Sequence, residues 1–286
     1  MRIERLPNNP IIRPDMDPGM GQNINGPSLI RVPDWIEKPL GRYYLYFGHH
    51  QGQYIRLAYA DELTGPWQTY EPGVLNLADA HCHAHLASPD VHVDHEERRI
   101  RMYYHGPIKG MGQQSKVALS DDGLSFKAFP ENLGYSYFRV FTWQGAIYAL
   151  GMPGVFYRSE DGLTNFLEGP TLFTEHQRHT ALKLDGSTLS VFYSNAFDCP
   201  EHILMSTIDI AGDWMSWRAS DPVSVLKPET DYEGANLPLA ASERGSIHTP
   251  AHQLRDPAIY REGSDTYLLY SIAGESGIAI ARIHEE

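Results

Sequence analysis

Tyr43-Tyr44-Leu45-Tyr46-Phe47 is an aromatic, apolar run of strand length, and four more like it follow along the chain. They are Ile100-Arg101-Met102-Tyr103-Tyr104, Ala146-Ile147-Tyr148-Ala149-Leu150, Leu189-Ser190-Val191-Phe192-Tyr193 and Thr266-Tyr267-Leu268-Leu269-Tyr270. A turn-bounded strand precedes each run. A third strand follows it, at Tyr54–Tyr59, Lys116–Ser120, Val155–Ser159, Ile203–Thr207 and Ile278–Arg282. One small sheet repeated at such spacings is the signature of blades set around an axis. The pattern predicts an all-β chain forming a single five-bladed β-propeller domain, with blades near 23–70, 85–130, 134–170, 178–217 and 253–283.

Local chemistry agrees with that reading. Asp122-Gly123 and Asp161-Gly162 sit where the third strand should turn into a short outer strand, and Asp-Gly is good hairpin chemistry. Trp67, Phe126, Phe166 and Trp217 then read as packing residues of the outer strands. The fifth repeat stops at Ile283 without a fourth strand. An N-terminal strand around Pro10-Ile11-Ile12 is expected to supply it, since closing the ring removes an exposed edge. Two insertions stand out, near 76–84 and 222–252. The second is rich in Gly, Pro, Ser and His, and has a length usually reserved for function.

The net charge of -13 argues against nucleic acid and anionic membranes as partners. Small neutral molecules such as sugars fit it. No run approaches the roughly 18 apolar residues that a membrane helix needs. The opening Met1-Arg2-Ile3-Glu4-Arg5-Leu6-Pro7 lacks a secretory apolar core, so the expected location is the cytoplasm. Cys82 and Cys199 fall in different repeats and read as free thiols.

A propeller gathers the starts of its inner strands around the axis. Those starts place Asn25, Asp90, Arg139, His179 and Asp256 there, each followed at once by apolar residues. Buried polar groups need partners, so five together imply either a mutual network or a ligand. The plainer alternative is that Asp90 and Asp256 pair with Arg139 or Arg255 and tie the blades together. Histidines cluster near the same end. His49 and His105 follow middle strands, and His81, His83 and His85 alternate before the second inner strand. They fit a sugar-binding rim with Trp35, Tyr135 and Tyr137 as stacking partners, or a zinc-like set if a carboxylate joins them.

Asp256-Pro257 at one inner strand and Ser88-Pro89-Asp90 at another resemble the five-bladed glycoside hydrolases, the superfamily of families 43, 32, 62, 68, 117 and 130. Asn9-Pro10-Ile11-Ile12, followed by Asn25-Gly26-Pro27-Ser28-Leu29-Ile30, resembles the first blade of families 117 and 130. The resemblance implies a glycoside hydrolase that cleaves a terminal bond of a small carbohydrate in an axial pocket. It implies no required cofactor, although some relatives hold calcium or another divalent ion in the axial channel. Sugar acetals need one group to protonate the leaving oxygen and another to activate water. On this resemblance Asp90 and Asp256 are the carboxylate pair, and either Glu233, in the long loop, or His179 donates the proton. Asn25, Arg139, Arg178, Arg255, His49, His85 and His105 would bind substrate.

Two departures qualify the match. Asn25 stands where an aspartate is expected. Glu168-Gly169-Pro170 matches a family 43 motif, but its register puts it on an outer strand, away from the axis. The rival readings are a family 130-like phosphorylase, a non-catalytic sugar-binding propeller, and a metal-dependent lyase or isomerase built on the histidines.

Overall fold

The computed structural model describes residues 1–285. Five antiparallel sheets form the blades of a propeller. Blade one runs from its inner strand outward as Asn25–Arg31, Tyr43–Gly48, Tyr54–Ala60 and Gln68–Asn76. Blade two is Ala87–Asp94, Arg99–Ile108 and Gly112–Ser120, edged by two short strands, Lys127–Ala128 and Gly134–Tyr135. Blade three is Arg139–Trp143, Ala146–Gly151, Val155–Ser159 and Leu167–Thr171. Blade four is Gln177–Asp185, Thr188–Asn195, Ile203–Asp209 and Val223–Leu226, and blade five is Arg255–Glu262, Asp265–Ser271 and Ile278–His284. Among the described residues, no helix is long and apolar enough to cross a membrane.

The middle strands read as unbroken apolar runs because both of their faces are buried. In blade one, Tyr43, Leu45 and Phe47 pack with Tyr260, Leu269 and Ile280 of blade five. The alternate residues Tyr44 and Tyr46 pack with Ile100, Met102 and Tyr104 of blade two. Each gap between neighbouring blades is filled in this way, so the core is five wedges rather than one mass. Successive side chains of a strand point to opposite faces, and this is what lets one strand feed two wedges.

The Asp-Gly turns also join blades. Asp122 Oδ1 accepts the backbone N–H groups of Leu124 and Ser125, and Asp161 Oδ1 accepts those of Leu163 and Thr164. Each turn then offers its glycine carbonyl to the preceding blade. Tyr46 donates to Gly123 O at 2.9 Å, and Tyr103 donates to Gly162 O at 2.8 Å.

Two expectations need correction. The ring is closed by Arg2–Arg5, which pairs with the third strand of blade five from Arg2↔His284 to Arg5↔Ala281. Ile12, expected in that strand, makes only a single bridge to Ile278. The outer strand of blade four lies beyond Trp217, inside the segment read as loop. Trp217 instead caps the wedge between blades three and four, 5.1 Å from the Tyr148 ring.

Candidate active site

Every blade begins with the same backbone device. Gly26, Ser88, Tyr137, His179 and Asp256, one per blade, all adopt left-handed φ values between +47° and +69°. In four blades the strand pairing shifts register across this residue. Left-handed φ is uncommon outside glycine, and it clusters where a site over-determines the backbone. The five form a layer at the end of the axis where the inner strands begin, here termed the mouth. The sequence-derived set is therefore not one layer. Asn25 lies one residue before it, and Asp90 and Arg139 lie two residues deeper.

Asp256 is 1% exposed. Its Oδ1 accepts the Tyr137 hydroxyl at 2.6 Å, while Oδ2 is buried without a partner. The Tyr137 ring lies between His105 and His179, at 5.7 and 5.2 Å, with the Arg139 guanidinium 4.4 Å from its centroid. His179 accepts at Nε2 from Arg178, at 3.1 and 3.0 Å. Its Nδ1 turns toward Asp256 Oδ1 at 3.7 Å and Glu201 Oε1 at 4.0 Å.

Behind this layer lie two buried glutamates that the sequence reading missed, Glu201 and Glu275. Arg255 links them, with Nη1 3.0 Å from Glu275 Oε1 and Nε 3.2 Å from Glu201 Oε2. Glu275 Oε2 also meets Asn23 Nδ2 at 2.6 Å and His50 Nδ1 at 2.7 Å. Ser194 donates to Glu201 at 2.6 Å. A signal for them existed. In a meander the loop between middle and third strand returns to the end where the inner strand starts, so Glu201, Glu275, His49 and His50 share one neighbourhood.

Electrostatics separates these groups. Burial, reinforced by the negative charge of Glu275, raises the pKa of Asp256. Burial pushes Glu275 the same way, but His50 and Arg255 outweigh it and hold its pKa at about 2. His179 is held well below the usual imidazole range by burial and by Arg178 and Arg255. His105 is likewise depressed by burial, and His49 is brought down to about 4 by burial and Arg56.

The remaining predicted residues lie elsewhere or have other partners. Asp90 sits down the channel. Its Oδ2 accepts Val140 N–H at 2.8 Å and contacts His92 Nε2 at 2.8 Å. Burial opposes its ionisation, yet His92 and Arg139 lower its pKa. It lines a cavity of about 130 Å³ with Ser28, His92 and Arg139. Arg139 is committed to the axis, donating to the carbonyls of Ser88, Pro89 and Thr180. Glu233 does not fold over the mouth. It is fully buried, and its oxygens accept from Arg5, Tyr270 and the backbone of Glu229 and Thr230. What crosses the mouth is a later part of the same loop. Gly245 O accepts from Arg178 and Arg255, each at 3.0 Å, and Ile247 O accepts from Asn23 at 2.8 Å.

Among the described residues, no group of three or more His, Cys, Asp or Glu is placed to hold a metal ion. The axial channel offers a hard cation few ligands. Its carboxylate, Asp90, has Oδ2 held by His92 and Val140, and the guanidinium of Arg139 lines the same space. Hard cations need several free oxygen ligands.

No family model matches the chain. The chain is similar to uncharacterized protein R118 of Acanthamoeba polyphaga mimivirus, with 35% identity over 98% of this chain and 90% of that protein. Among solved structures it resembles CoXyl43, a GH43 β-xylosidase/α-arabinofuranosidase from a compost microbial metagenome, in complex with xylotriose in a calcium-free form. That likeness has a TM-score of 0.63 at 14% identity and covers 92% of both chains. The GH43_1 enzyme from Xanthomonas citri complexed with xylose matches at TM-score 0.63 and 14% identity, over 93% of this chain and 88% of that one. The α-L-arabinofuranosidase from Lactobacillus brevis matches at TM-score 0.61 and 12% identity, over 97% and 93%. At these identities the likeness is one of fold. The chain belongs to the family of mimivirus protein R118, built on the five-bladed propeller seen in family 43 glycoside hydrolases.

Proposed function

We propose that this protein is a glycoside hydrolase that removes a terminal sugar from a small carbohydrate, with Asp256 as the group that activates water. The observation that carries this reading is the state of Asp256. It is a carboxyl at the left-handed head of an inner strand, anchored on one oxygen by Tyr137 and unpartnered on the other. Burial and Glu275 raise its pKa, which makes it a stronger proton acceptor once ionised. The unpartnered ring nitrogens of His105 and His179, and the free Oδ1 of Asn25, supply further polar atoms for sugar hydroxyls.

Segment 243–247 lies across blades four, five and one, which suits a pocket admitting the end of a chain rather than its middle. Complexes of the propeller neighbours with xylose and xylotriose make pentosides the first substrates to try. The phosphorylase reading is less well supported. Of Asn25, Arg139 and His179, the set that would hold phosphate, Arg139 already donates to the carbonyls of Ser88, Pro89 and Thr180, and His179 Nε2 is engaged by Arg178.

The test is release of aryl alcohol from a panel of aryl glycosides, with and without phosphate, by wild-type protein and Asp256→Asn. Turnover without phosphate that falls roughly 10²–10⁴-fold in the variant supports the reading. Full activity of a folded Asp256→Asn sinks it.

A further inference from the structure

Protonating the leaving oxygen needs a second group, and none of the five residues in the mouth layer suits it. His179 has Nε2 engaged by Arg178 and Nδ1 turned to Asp256. His50, in the loop after the middle strand of blade one, is held differently. Its Nδ1 meets Glu275 Oε2 at 2.7 Å and Asn25 Nδ2 at 2.9 Å, and its backbone N–H donates to Asn23 Oδ1 at 2.8 Å, so position and ring orientation are both set. Glu275 is itself fixed by Arg255 and Asn23. On the opposite edge of the His50 ring, Nε2 has no hydrogen-bond partner among the described residues. The side chain is 21% exposed, against 5% for His179 and 1% for Asp256. A carboxylate on one imidazole nitrogen, with the other nitrogen open to the site, is the arrangement that orients a histidine for proton transfer.

We propose that His50, positioned by Glu275, is the proton donor to the leaving group, a role that rests on the glycosidase reading of Asp256. In the step, His50 Nε2–H gives its proton to the glycosidic oxygen as the bond from that oxygen to C1 breaks, the electron pair leaving with oxygen. Water adds to C1 and passes a proton to Asp256. Loss of that proton to solvent and uptake of one by His50 reset the site, so the sum is glycoside plus water giving free sugar and alcohol.

The surroundings keep this histidine apart from its neighbours. Burial and Arg178 oppose its charged form, but Glu275 and Asp256 outweigh them and raise its pKa. His49, His85, His105 and His179 all lie near enough to feel the charge of His50, and all four are shifted downward, with burial the largest cause in each. Of the five, His50 alone is shifted upward.

The experiment compares wild type, His50→Gln, Glu275→Gln and Asp256→Asn on aryl glycosides whose leaving groups run from phenol to dinitrophenol. It is paired with an NMR titration of the His50 imidazole. A leaving group that departs without a proton does not need the donor. His50→Gln should therefore lose roughly 10²–10⁴-fold on phenyl glycosides but stay within about tenfold of wild type on dinitrophenyl glycosides. The basic limb of the pH profile should vanish in His50→Gln and move down in Glu275→Gln. His50 should titrate above its ordinary value in wild type and lower in Glu275→Gln. Equal losses by His50→Gln on both substrates, while Asp256→Asn is inactive on both, overturn the donor role and leave the role of Asp256 standing. A His50 pKa at or below the ordinary value in wild type overturns the pairing whatever the rates. Wild-type silence on every glycoside removes the glycosidase reading and the donor role with it.

Discussion

The phenol of Tyr137, on blade three, donates to the carboxylate of Asp256, on blade five, across 2.6 Å. The two blades are not neighbours in the ring, so the bond spans the mouth of the axis. It also opposes the burial that raises the pKa of Asp256, because a donated hydrogen bond favours the ionised form.

Removing that bond has a signed consequence. In Tyr137→Phe the carboxyl loses its donor, its pKa rises further, and the acid limb of kcat/KM should move upward by about one pH unit, equivalent to roughly 1.4 kcal/mol. A pH–rate profile on a dinitrophenyl glycoside checks this. An unmoved acid limb would mean that Asp256 does not set it.

Asp256 should also cost the fold stability. Its folded pKa lies above the ordinary aspartate value, so its contribution to stability is fully present below the unfolded pKa and is lost as pH rises through the folded one. Asparagine tolerates the left-handed φ of +47° at this position. Asp256→Asn should therefore melt higher than wild type at pH 7, with the gap closing toward pH 3, while losing turnover. Thermal melts across that range read it directly.

Blade one carries no carboxylate in the mouth layer, and packing is the reason. A Cβ on Gly26 would lie 2.8 Å from Ser88 Cα, at a φ of +59°. Gly26→Ala should destabilise the protein by about 1–3 kcal/mol, and Gly26→Asp should fail to add a working acid. Denaturant titration of both variants is the check.

The buried Glu233 should prove structural. Arg5 reaches it from the closing strand, 2.8 Å from Oε1. Arg5→Ala leaves an uncompensated buried carboxylate and should cost about 3–5 kcal/mol. Activity per folded molecule should be unchanged, as measured by kcat normalised to the folded fraction.

Much of this protein was legible because its strands are local events. The run Tyr43–Phe47 announces a strand buried on both faces, and Asp161-Gly162 announces a turn, without reference to anything distant. The position of Glu168 on an outer strand was equally readable, since counting along a meander fixes which strand a residue occupies; there it lies near Tyr157, across the pairing of the third and outer strands.

The site was legible only in part. Asp256 and His179 were found because each precedes an inner strand. Asp90 looked equivalent to Asp256, yet the register shift at the head of its strand puts Ser88 in that layer and Asp90 two residues deeper. A shift of that size cannot be seen in a pattern whose period is two. Glu275 and His50 sit in loops with no periodic signal, 225 residues apart, and only closure of the ring sets them 2.7 Å from each other. Glu233 looked free in a long loop until Arg5, 228 positions away, folded onto it. The sequence by itself determined the strands, the turns and the number of blades, because hydrophobic period and turn chemistry act over a few residues. Which ionisable groups meet, and which of them hold a proton, was decided only by the tertiary structure, because burial and charge pairing depend on residues the chain brings together from its two ends.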